Sequence, residues 1–154
     1  MKSNLSLFIT MPAKDFYHAA VREVLLKDGW RILKEDYELE YGGDSLYPDF
    51  AAERSIAAMR GTQRILVEVK SFLGRSFVAD LQASIGQYEM YQAVIDAQGL
   101  DFRLYMAIAL SVYEKRFQSP LAQLMIQRGQ VNLMVFDSNQ EVVVQWIEVS
   151  NIDR

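Results

Sequence analysis

The sequence contains Tyr47-Pro48-Asp49 and, after a short connection, Arg64-Ile65-Leu66-Val67-Glu68-Val69-Lys70-Ser71-Phe72. The second segment predicts a β-strand, because β-branched and apolar residues fill it and Gly61 precedes it as a breaker. Side chains alternate along a strand, so Glu68 and Lys70 emerge on the same face. The sequence therefore places a carboxylate and an amine on one face of a largely apolar strand.

These two charged groups are unusual on such a strand, because burying either of them without a partner is strongly unfavourable. Departures of this kind from a stable core pattern concentrate at functional or strained sites. If Asp49 lies on the neighbouring strand, Asp49, Glu68 and Lys70 converge, which predicts a divalent-metal site with a lysine beside it. The alternative is that Glu68 and Lys70 form a local ion pair at a sheet edge.

Composition restricts the chemistry of any metal site. The chain has 154 residues, which predicts one domain, and it contains no cysteine and one histidine. Disulfides, thiolate metal sites and multi-histidine zinc sites within one chain are therefore excluded. A metal would bind to carboxylate and carbonyl oxygens, which suits Mg²⁺ or Mn²⁺.

Charge and hydropathy indicate where the protein acts. The net charge of −4 argues against a general nucleic-acid-binding protein. Binding to DNA would therefore require a local basic patch or a partner protein. No apolar run approaches the roughly 20 residues of a membrane span. Residues 1–10 are too short and too weakly basic for a secretory signal. We therefore expect a cytoplasmic protein that does not contact a membrane.

The pattern along the chain predicts the α/β class, with a mixed sheet flanked by helices in the order α-β-β-β-α-β-α-β-β. The predicted helices are 13–27, 78–97 and 120–127, and the predicted strands are 30–41, 46–54, 64–72, 104–110, 131–136 and 142–147. Strand 104–110 is almost continuously apolar, as expected of a buried central strand. Pro48 fits only at the edge or the start of its strand.

Each predicted helix has an apolar stripe that we expect to face the core. The stripes consist of Phe16, Tyr17, Ala20, Val21, Val24 and Leu25 in the first helix, Val78, Leu81, Ile85, Tyr88, Gln92 and Ile95 in the second, and Leu121, Leu124 and Met125 in the third.

Pro48-Asp49 followed by Glu68-Val69-Lys70 resembles the PD-(D/E)XK signature of the restriction-endonuclease-like nucleases, and the predicted element order resembles their core. The resemblance implies that Asp49, Glu68 and the backbone carbonyl of Val69 hold Mg²⁺ or Mn²⁺. It implies that Lys70 helps to position and deprotonate the attacking water. The combination of signature and element order is more specific than the signature alone.

Four further positions are candidates for contacts with substrate. Gln87 and Tyr91 resemble the Q-x-x-x-Y element of RecB-like members and lie one helical turn apart, so both could contact substrate. The alternative is that Gln87 is a solvated helix residue and that Tyr91 packs against the core. Arg75 follows the strand end and either contacts a phosphate or is an exposed loop residue. His18 is a general acid or substrate contact at the edge of the site, or a helix-packing or surface histidine, which is the commoner role.

Nearly the whole chain from Met11 is similar to the XisH family, known as fdxN-element excision controlling factors and mainly cyanobacterial. The similar segments are Met-Pro-Ala-Lys-Asp with His18, Lys27-Asp28-Gly29-Trp30, Tyr41-Gly42-Gly43-Asp44, the run from Val67 to Ser76, Gly86-Gln87-Tyr88, and Val-Phe-Asp with Gln145-Trp146-Ile147. The resemblance implies the endonuclease-like fold and a role in programmed DNA excision with a site-specific recombinase and a partner protein, XisI.

Residues 1–10 precede the usual start of that family. We therefore predict an N-terminal extension over residues 1–10 and a single endonuclease-like domain over residues 11–154. Met1 and Met11 both remain candidate initiators.

Two functions from different classes remain open at this point. The first is a Mg²⁺-dependent endodeoxyribonuclease in DNA rearrangement, which the intact set of Asp49, Glu68 and Lys70 favours. The second is a non-cleaving specificity factor that acts through protein partners, which the acidic balance and the excision-control role favour. The expected partners are DNA, an XisI-like protein, a recombinase and, in a homodimer, a second copy of the chain.

Overall fold

A computed structural model of the chain describes residues 15–149. The helices are α1 (His18–Lys27), α2 (Phe77–Gln98), α3 (Leu110–Arg116) and α4 (Pro120–Gly129), and a short 3₁₀ turn spans Ala57–Met59. The strands are β1 (Arg31–Glu35), β2 (Leu39–Tyr41), β3 (Asp44–Leu46), β4 (Phe50–Ile56), β5 (Gly61–Val69), β6 (Arg103–Ala109), β7 (Leu133–Asp137) and β8 (Val142–Ile147). The predicted class, a mixed sheet flanked by helices, is confirmed.

The main sheet has six strands in the order β1-β4-β5-β6-β7-β8. Strands β5, β6 and β7 pair in parallel, whereas β1, β4 and β8 join the sheet through antiparallel pairs. Strands β2 and β3 form a separate hairpin. Helices cover both faces of the parallel strands, which is why β6 is buried at every residue after Arg103.

The two faces of the sheet carry two separate cores. On one face, Leu66 and Met106 pack with Tyr88 of α2. On the other face, Val67 and Val21 of α1 belong to a second cluster. Because side chains alternate along β5, Glu68 lies on the same face as Leu66 and is directed towards α2.

Helix α2 supplies the wall above that face. Its start is capped by Ser76, whose side chain accepts a hydrogen bond from the Ala79 N–H at 3.1 Å, and its end by Gly99 at φ +61°. Of the predicted stripe, Leu81, Tyr88 and Ile95 are buried, whereas Val78 is exposed. The polar residues Ser84 and Tyr91 are also buried on this helix.

The turn between β5 and α2 is tightly constrained. Phe72 has a φ of +55°, in the left-handed region, and its ring packs against Phe77 and Phe117. The Gly74 N–H donates to Asp80 Oδ2 at 2.9 Å, and a Cβ atom at Gly74 would lie 2.5 Å from the Asp80 carboxylate. A side chain at Gly74 would therefore displace the Asp80 carboxylate that accepts its N–H, and the turn holds the end of β5 against the start of α2.

The predicted strand 30–41 is wrong in detail, because the structure divides it into β1 and β2. Asp36 adopts a φ of +52° between them, which ends β1. The backbone N–H groups of Asp36 and Tyr37 donate to the carbonyls of Asp49 and Pro48 at 2.9 and 3.0 Å. The predicted strand 46–54 is likewise divided, because Leu46 ends β3 and β4 begins at Phe50, so Pro48 and Asp49 lie between the two strands. These two bonds fix the backbone just before β4.

Helix α3 was not predicted. It has seven residues, none of them buried, and its N-cap Ala109 provides no side-chain hydrogen bond. Its apolar residues Leu110, Val112 and Tyr113 pack against the core only in part, and no capping residue marks its start in the sequence.

Two apolar stripes were partly wrong. Leu121 and Leu124 are 44% and 53% exposed, whereas Ala122 and Ile126 form the buried face of α4. Phe16 is 75% exposed and lies before α1, which begins at His18. In both cases the prediction assigned large apolar side chains to the core. The buried face of the helix is instead formed by other residues, Ala122 and Ile126 in α4 and Val21, Val24 and Leu25 in α1.

The predicted extension over residues 1–10, and the predicted helical residues 13–14 with Pro12 before them, lie outside the described residues. Within residues 15–149 no helix has the length and apolar character needed to cross a bilayer.

Tyr88 connects α2 to the sheet, and its loss should destabilise the fold. Its buried hydroxyl donates to the Leu104 carbonyl and accepts from the Asn132 N–H, both at 3.0 Å. Tyr88→Phe leaves the buried Asn132 N–H without this acceptor, which should cost ~1–3 kcal/mol of unfolding free energy. The expected fall in Tm, measured by thermal denaturation, is roughly 2–10 °C. Tyr41→Phe, at an exposed tyrosine, is the control, and an equal effect of both variants would contradict this role.

Candidate functional site

Asp49 stands opposite Glu68 across the antiparallel pair β4–β5. Phe50 pairs with Val67, and the same register continued by one residue aligns Asp49 with Glu68. Asp49 Oδ2 accepts a hydrogen bond from the backbone N–H of Val69 at 2.7 Å. The structure therefore brings the two acids of the PD-(D/E)XK-like signature to the same end of β5.

Glu68 is buried, with 7% of its surface exposed. Burial and, second, the charge of the nearby Asp49 raise the pKa of Glu68 to about 8, although Lys70 opposes the shift. A hydrogen bond between the two carboxyl groups acts in the same direction as burial. Glu68 therefore holds a proton at neutral pH when no cation is bound.

Lys70 and Tyr91 complete the surroundings of Glu68. Lys70 Nζ lies 3.4 Å from Glu68 Oε2, and the Tyr91 hydroxyl donates to Glu68 Oε1 at 3.3 Å. Burial, and then the charges of Glu68 and Asp49, raise the pKa of Tyr91, so its hydroxyl remains a donor. Tyr91 of the Q-x-x-x-Y element therefore contacts the carboxyl group of the signature.

His18 reaches Asp49 from the opposite face of the sheet. It is the first residue of α1, it is 5% exposed, and its ring stacks on Phe50 with the centroids 4.5 Å apart. Its Nε2 lies 3.0 Å from Glu35 Oε1, and its Nδ1 lies 3.4 Å from Asp49 Oδ1. His18 is thus a packing histidine that also contacts an acid of the site.

Glu35 and Arg22 hold that histidine in place, and the sequence did not indicate either of them. Arg22 donates to both oxygens of Glu35, at 2.6 and 3.0 Å. This hydrogen bonding, opposed by partial burial and helped by His18, lowers the pKa of Glu35 to about 2. No local pattern could identify these residues, because helix α1 and strand β1 meet only in the folded chain.

Asp15 is a third residue that sequence analysis left without a role. Its Oδ2 accepts from the Ser71 N–H at 2.8 Å, and its carbonyl accepts from the His18 N–H at 3.0 Å. One residue therefore fixes the start of α1 to the exit of β5. Asp15 belongs to the Met-Pro-Ala-Lys-Asp segment, which resembles the family. That resemblance drew attention to the segment but did not indicate a role for Asp15.

The remaining candidates are arranged differently. Gln87 is half-buried, and within residues 15–149 its buried Oε1 has no hydrogen-bond partner. Arg75 is exposed in the turn between β5 and α2. A polar cleft of about 200 Å³ lies beside this turn, and Lys70, Ser71, Asp15 and Ser84 are among the residues that line it.

The oxygen atoms at the end of β5 fit a hard divalent cation. The carboxyl groups of Asp49 and Glu68 lie at the same end of β5, and a cation could replace the proton on Glu68. Within residues 15–149, no group of three or more His, Cys, Asp or Glu side chains is positioned to hold a metal ion. The site therefore offers the two carboxylates, with the Val69 backbone carbonyl as the predicted third ligand.

Comparison with known proteins finds relatives that match most of the chain. The model of the XisH protein family matches residues 11–144. The crystal structure of an XisH family protein from Nostoc punctiforme is 35% identical, with a TM-score of 0.78 over 87% of this chain and 100% of that one. The structure of an fdxN element excision controlling factor protein from Anabaena variabilis is 36% identical, with a TM-score of 0.77 over 86% of this chain and 98% of that one. A search of curated proteins found no match.

The raised pKa of Glu68 predicts how stability depends on pH without metal. The folded protein binds the Glu68 proton more tightly than the unfolded chain, whose glutamate has a pKa near 4.5. The stabilisation is therefore complete below pH 4.5 and is lost as the pH rises through about 8. We expect the Tm of the wild type in EDTA to fall between pH 5 and 9, and that of Glu68→Gln to fall less.

The comparison variant for this pH series is Glu89→Gln, at an exposed glutamate of α2. Its Tm should follow the wild-type curve. Parallel curves for the wild type and Glu68→Gln would show that Glu68 does not hold the proton.

Proposed function

The chain belongs to the XisH family, and we propose that it controls the excision of a DNA element through a metal-dependent, endonuclease-like site. The name of the Anabaena relative, an fdxN element excision controlling factor, supports the role in excision. The convergence of Asp49, Glu68 and Lys70 at one end of β5 carries the chemical part of the proposal. The reaction would be hydrolysis of a DNA phosphodiester bond.

The residues of the site have distinct tasks in this reaction. Asp49, Glu68 and the Val69 carbonyl would hold Mg²⁺ or Mn²⁺, which when bound polarises a phosphoryl oxygen and lowers the pKa of a bound water. Lys70, 3.4 Å from Glu68, can position the attacking water and accept its proton or neutralise developing charge. Tyr91 donates to Glu68 and so restricts the direction in which its carboxylate points.

Two further residues are suited to the substrate. The exposed guanidinium of Arg75 can pair with a backbone phosphate next to the end of β5. Gln87, one helical turn before Tyr91, has a buried amide oxygen that accepts no hydrogen bond within residues 15–149. A substrate donor could satisfy it, since buried polar atoms are normally paired.

The charge of the chain bears on its partners. A net charge of −4 gives little general attraction to DNA. We propose that an XisI-like protein and a site-specific recombinase, the partners implied by the family, supply part of the DNA contact. Cytoplasmic localisation belongs to the same proposal.

The acidic balance also favours a second candidate function. In it, the protein is a non-cleaving factor that directs a recombinase through protein contacts, and Glu68 keeps its proton because no cation binds. The two candidates differ in one measurable property, which is the binding of a divalent cation at Asp49 and Glu68.

Calorimetric titration of Mg²⁺ and Mn²⁺ separates the candidates. We expect binding to the wild type, loss of binding in Glu68→Ala because a carboxylate ligand is removed, and normal binding in Glu89→Ala, where the glutamate is exposed. A plasmid-nicking assay follows with the same three proteins. Nicking that disappears with metal binding would support the nuclease, whereas absence of metal binding would leave the non-cleaving factor.

Lys70→Met tests the role of the amine separately from the metal. Metal affinity should stay near the wild-type value, because Lys70 is not a ligand. The nicking rate should fall by roughly 10²–10⁴-fold, the usual contribution of a group that transfers a proton. Wild-type nicking by Lys70→Met would exclude this role for the amine.

A further inference from the structure

Three basic side chains near the candidate site have no acidic partner. Arg75 lies in the turn between β5 and α2, and Lys115 and Arg116 are the last two residues of α3. All three are exposed. None of them takes part in an ion pair within residues 15–149. Together they form the basic patch.

Most other basic side chains in the described part of the chain are paired with a carboxylate. The pairs are Arg22–Glu35, Arg31–Glu53, Arg54–Asp28, Arg64–Glu53, Arg103–Glu148, Lys27–Glu141 and Lys70–Glu68. Lys34, Arg60 and Arg128 also lack an acid among the described residues, but they belong to three separate parts of the fold, which are β1, the turn before β5 and α4. Unpaired positive charge is therefore concentrated in the basic patch.

An aromatic cluster joins the two segments that carry the basic patch. The rings of Phe72, Phe77 and Phe117 pack against one another, with centroids 5.0, 5.6 and 5.7 Å apart. The guanidinium carbon of Arg116 lies 5.8 Å from the centroid of the Phe77 ring, which is within the range of a cation–π contact. Arg75 precedes Phe77 by two residues. The cluster therefore brings the end of α3 close to the turn that holds Arg75.

The basic patch borders the candidate site. The Lys70 N–H donates to the Ala107 carbonyl at 3.1 Å, so the exit of β5 lies beside the end of β6, from which α3 follows. Lys70 and Gly74 both line the polar cleft of about 200 Å³, and Arg75 comes directly after Gly74. A DNA strand with a phosphodiester group at Lys70 would therefore have its neighbouring phosphates near this surface.

The acids around the basic patch are directed elsewhere. Asp80 accepts the Gly74 N–H at 2.9 Å, and Asp15 accepts the Ser71 N–H at 2.8 Å. Glu114 lines a separate cleft beside the turn between β7 and β8. The dipole of α3 favours cations in its last turn and accounts for Lys115 and Arg116 without a ligand. It does not account for Arg75, which belongs to another segment.

We propose that Arg75, Lys115 and Arg116 form a surface that binds the phosphate backbone of duplex DNA beside the candidate site. The inference rests on the proposed function, whose substrate is DNA, and it adds a contact that needs no metal. Exposed cations that no carboxylate neutralises attract phosphates, and the planar fork of arginine matches their geometry. An acidic chain thus carries its attraction for DNA locally, next to the reacting group.

Salt-dependent DNA binding tests this surface. The full chain is titrated into a fluorescently labelled DNA duplex in EDTA at several NaCl concentrations, and anisotropy gives the Kd. We expect the wild type to bind at low ionic strength. Arg75→Gln and Arg116→Gln should each weaken binding and lower the slope of log Kd against log[NaCl] by roughly 1, because each removes one phosphate contact. Arg116→Lys should keep the wild-type slope, because it keeps the charge.

Arg128→Gln is the matched control. Arg128 is also exposed, lies in the last turn of a helix and has no acidic partner within residues 15–149. Helix α4 leads to the start of β7, and β7 runs parallel to β6, so this arginine is at the end of the sheet opposite the candidate site. Its substitution should leave the slope unchanged, and the Tm of each variant checks its folding.

The outcomes separate this inference from the proposed function. A wild type that does not bind the duplex at low ionic strength, or a folded Arg116→Gln with the wild-type slope, would overturn the basic patch. An equal loss in Arg128→Gln would also overturn it, because the effect would then be general electrostatics. Patch-dependent DNA binding by a protein that binds neither Mg²⁺ nor Mn²⁺ would support the basic patch and refute the metal site alone.

Discussion

The close approach of two carboxyl groups, Asp49 and Glu68, is the constraint on which the rest of the site depends. Burial and, second, the charge of Asp49 raise the pKa of Glu68 to about 8, although Lys70 lies beside it. Such a pair lowers stability in an apolar core, but it matches the ligand set of a hard divalent cation. The surrounding elements keep the pair in place.

The sheet and the helix on each of its faces each contribute one contact that holds Asp49 or Glu68 in place. The backbone N–H of Val69 holds Asp49 from within the sheet, and α2 supplies the Tyr91 hydroxyl to Glu68 from above. From the other face, α1 supplies His18, whose Nδ1 lies 3.4 Å from Asp49 Oδ1. The two apolar cores, one on each face, make the strands and helices rigid enough to impose these contacts.

The proposed nuclease activity requires more than the acid pair at the end of β5. A nuclease needs the acid pair, a neighbouring amine and access to DNA, and the first two are present at the end of β5. The acidic chain provides little general attraction for DNA, which is why partners enter the proposal.

The sequence alone determined the class of fold, the strand with Glu68 and Lys70 on one face, and the family, because periodicity and motif spacing are local properties. It could not separate a motif histidine from a packing one, and it assigned Leu121 and Leu124 to the core although both are exposed. Only the tertiary structure decided that Glu35 and Arg22 fix His18, and that Asp15 joins α1 to the end of β5. These contacts join residues far apart in the chain, and their geometry depends on how helices pack on the sheet, which local pattern does not encode.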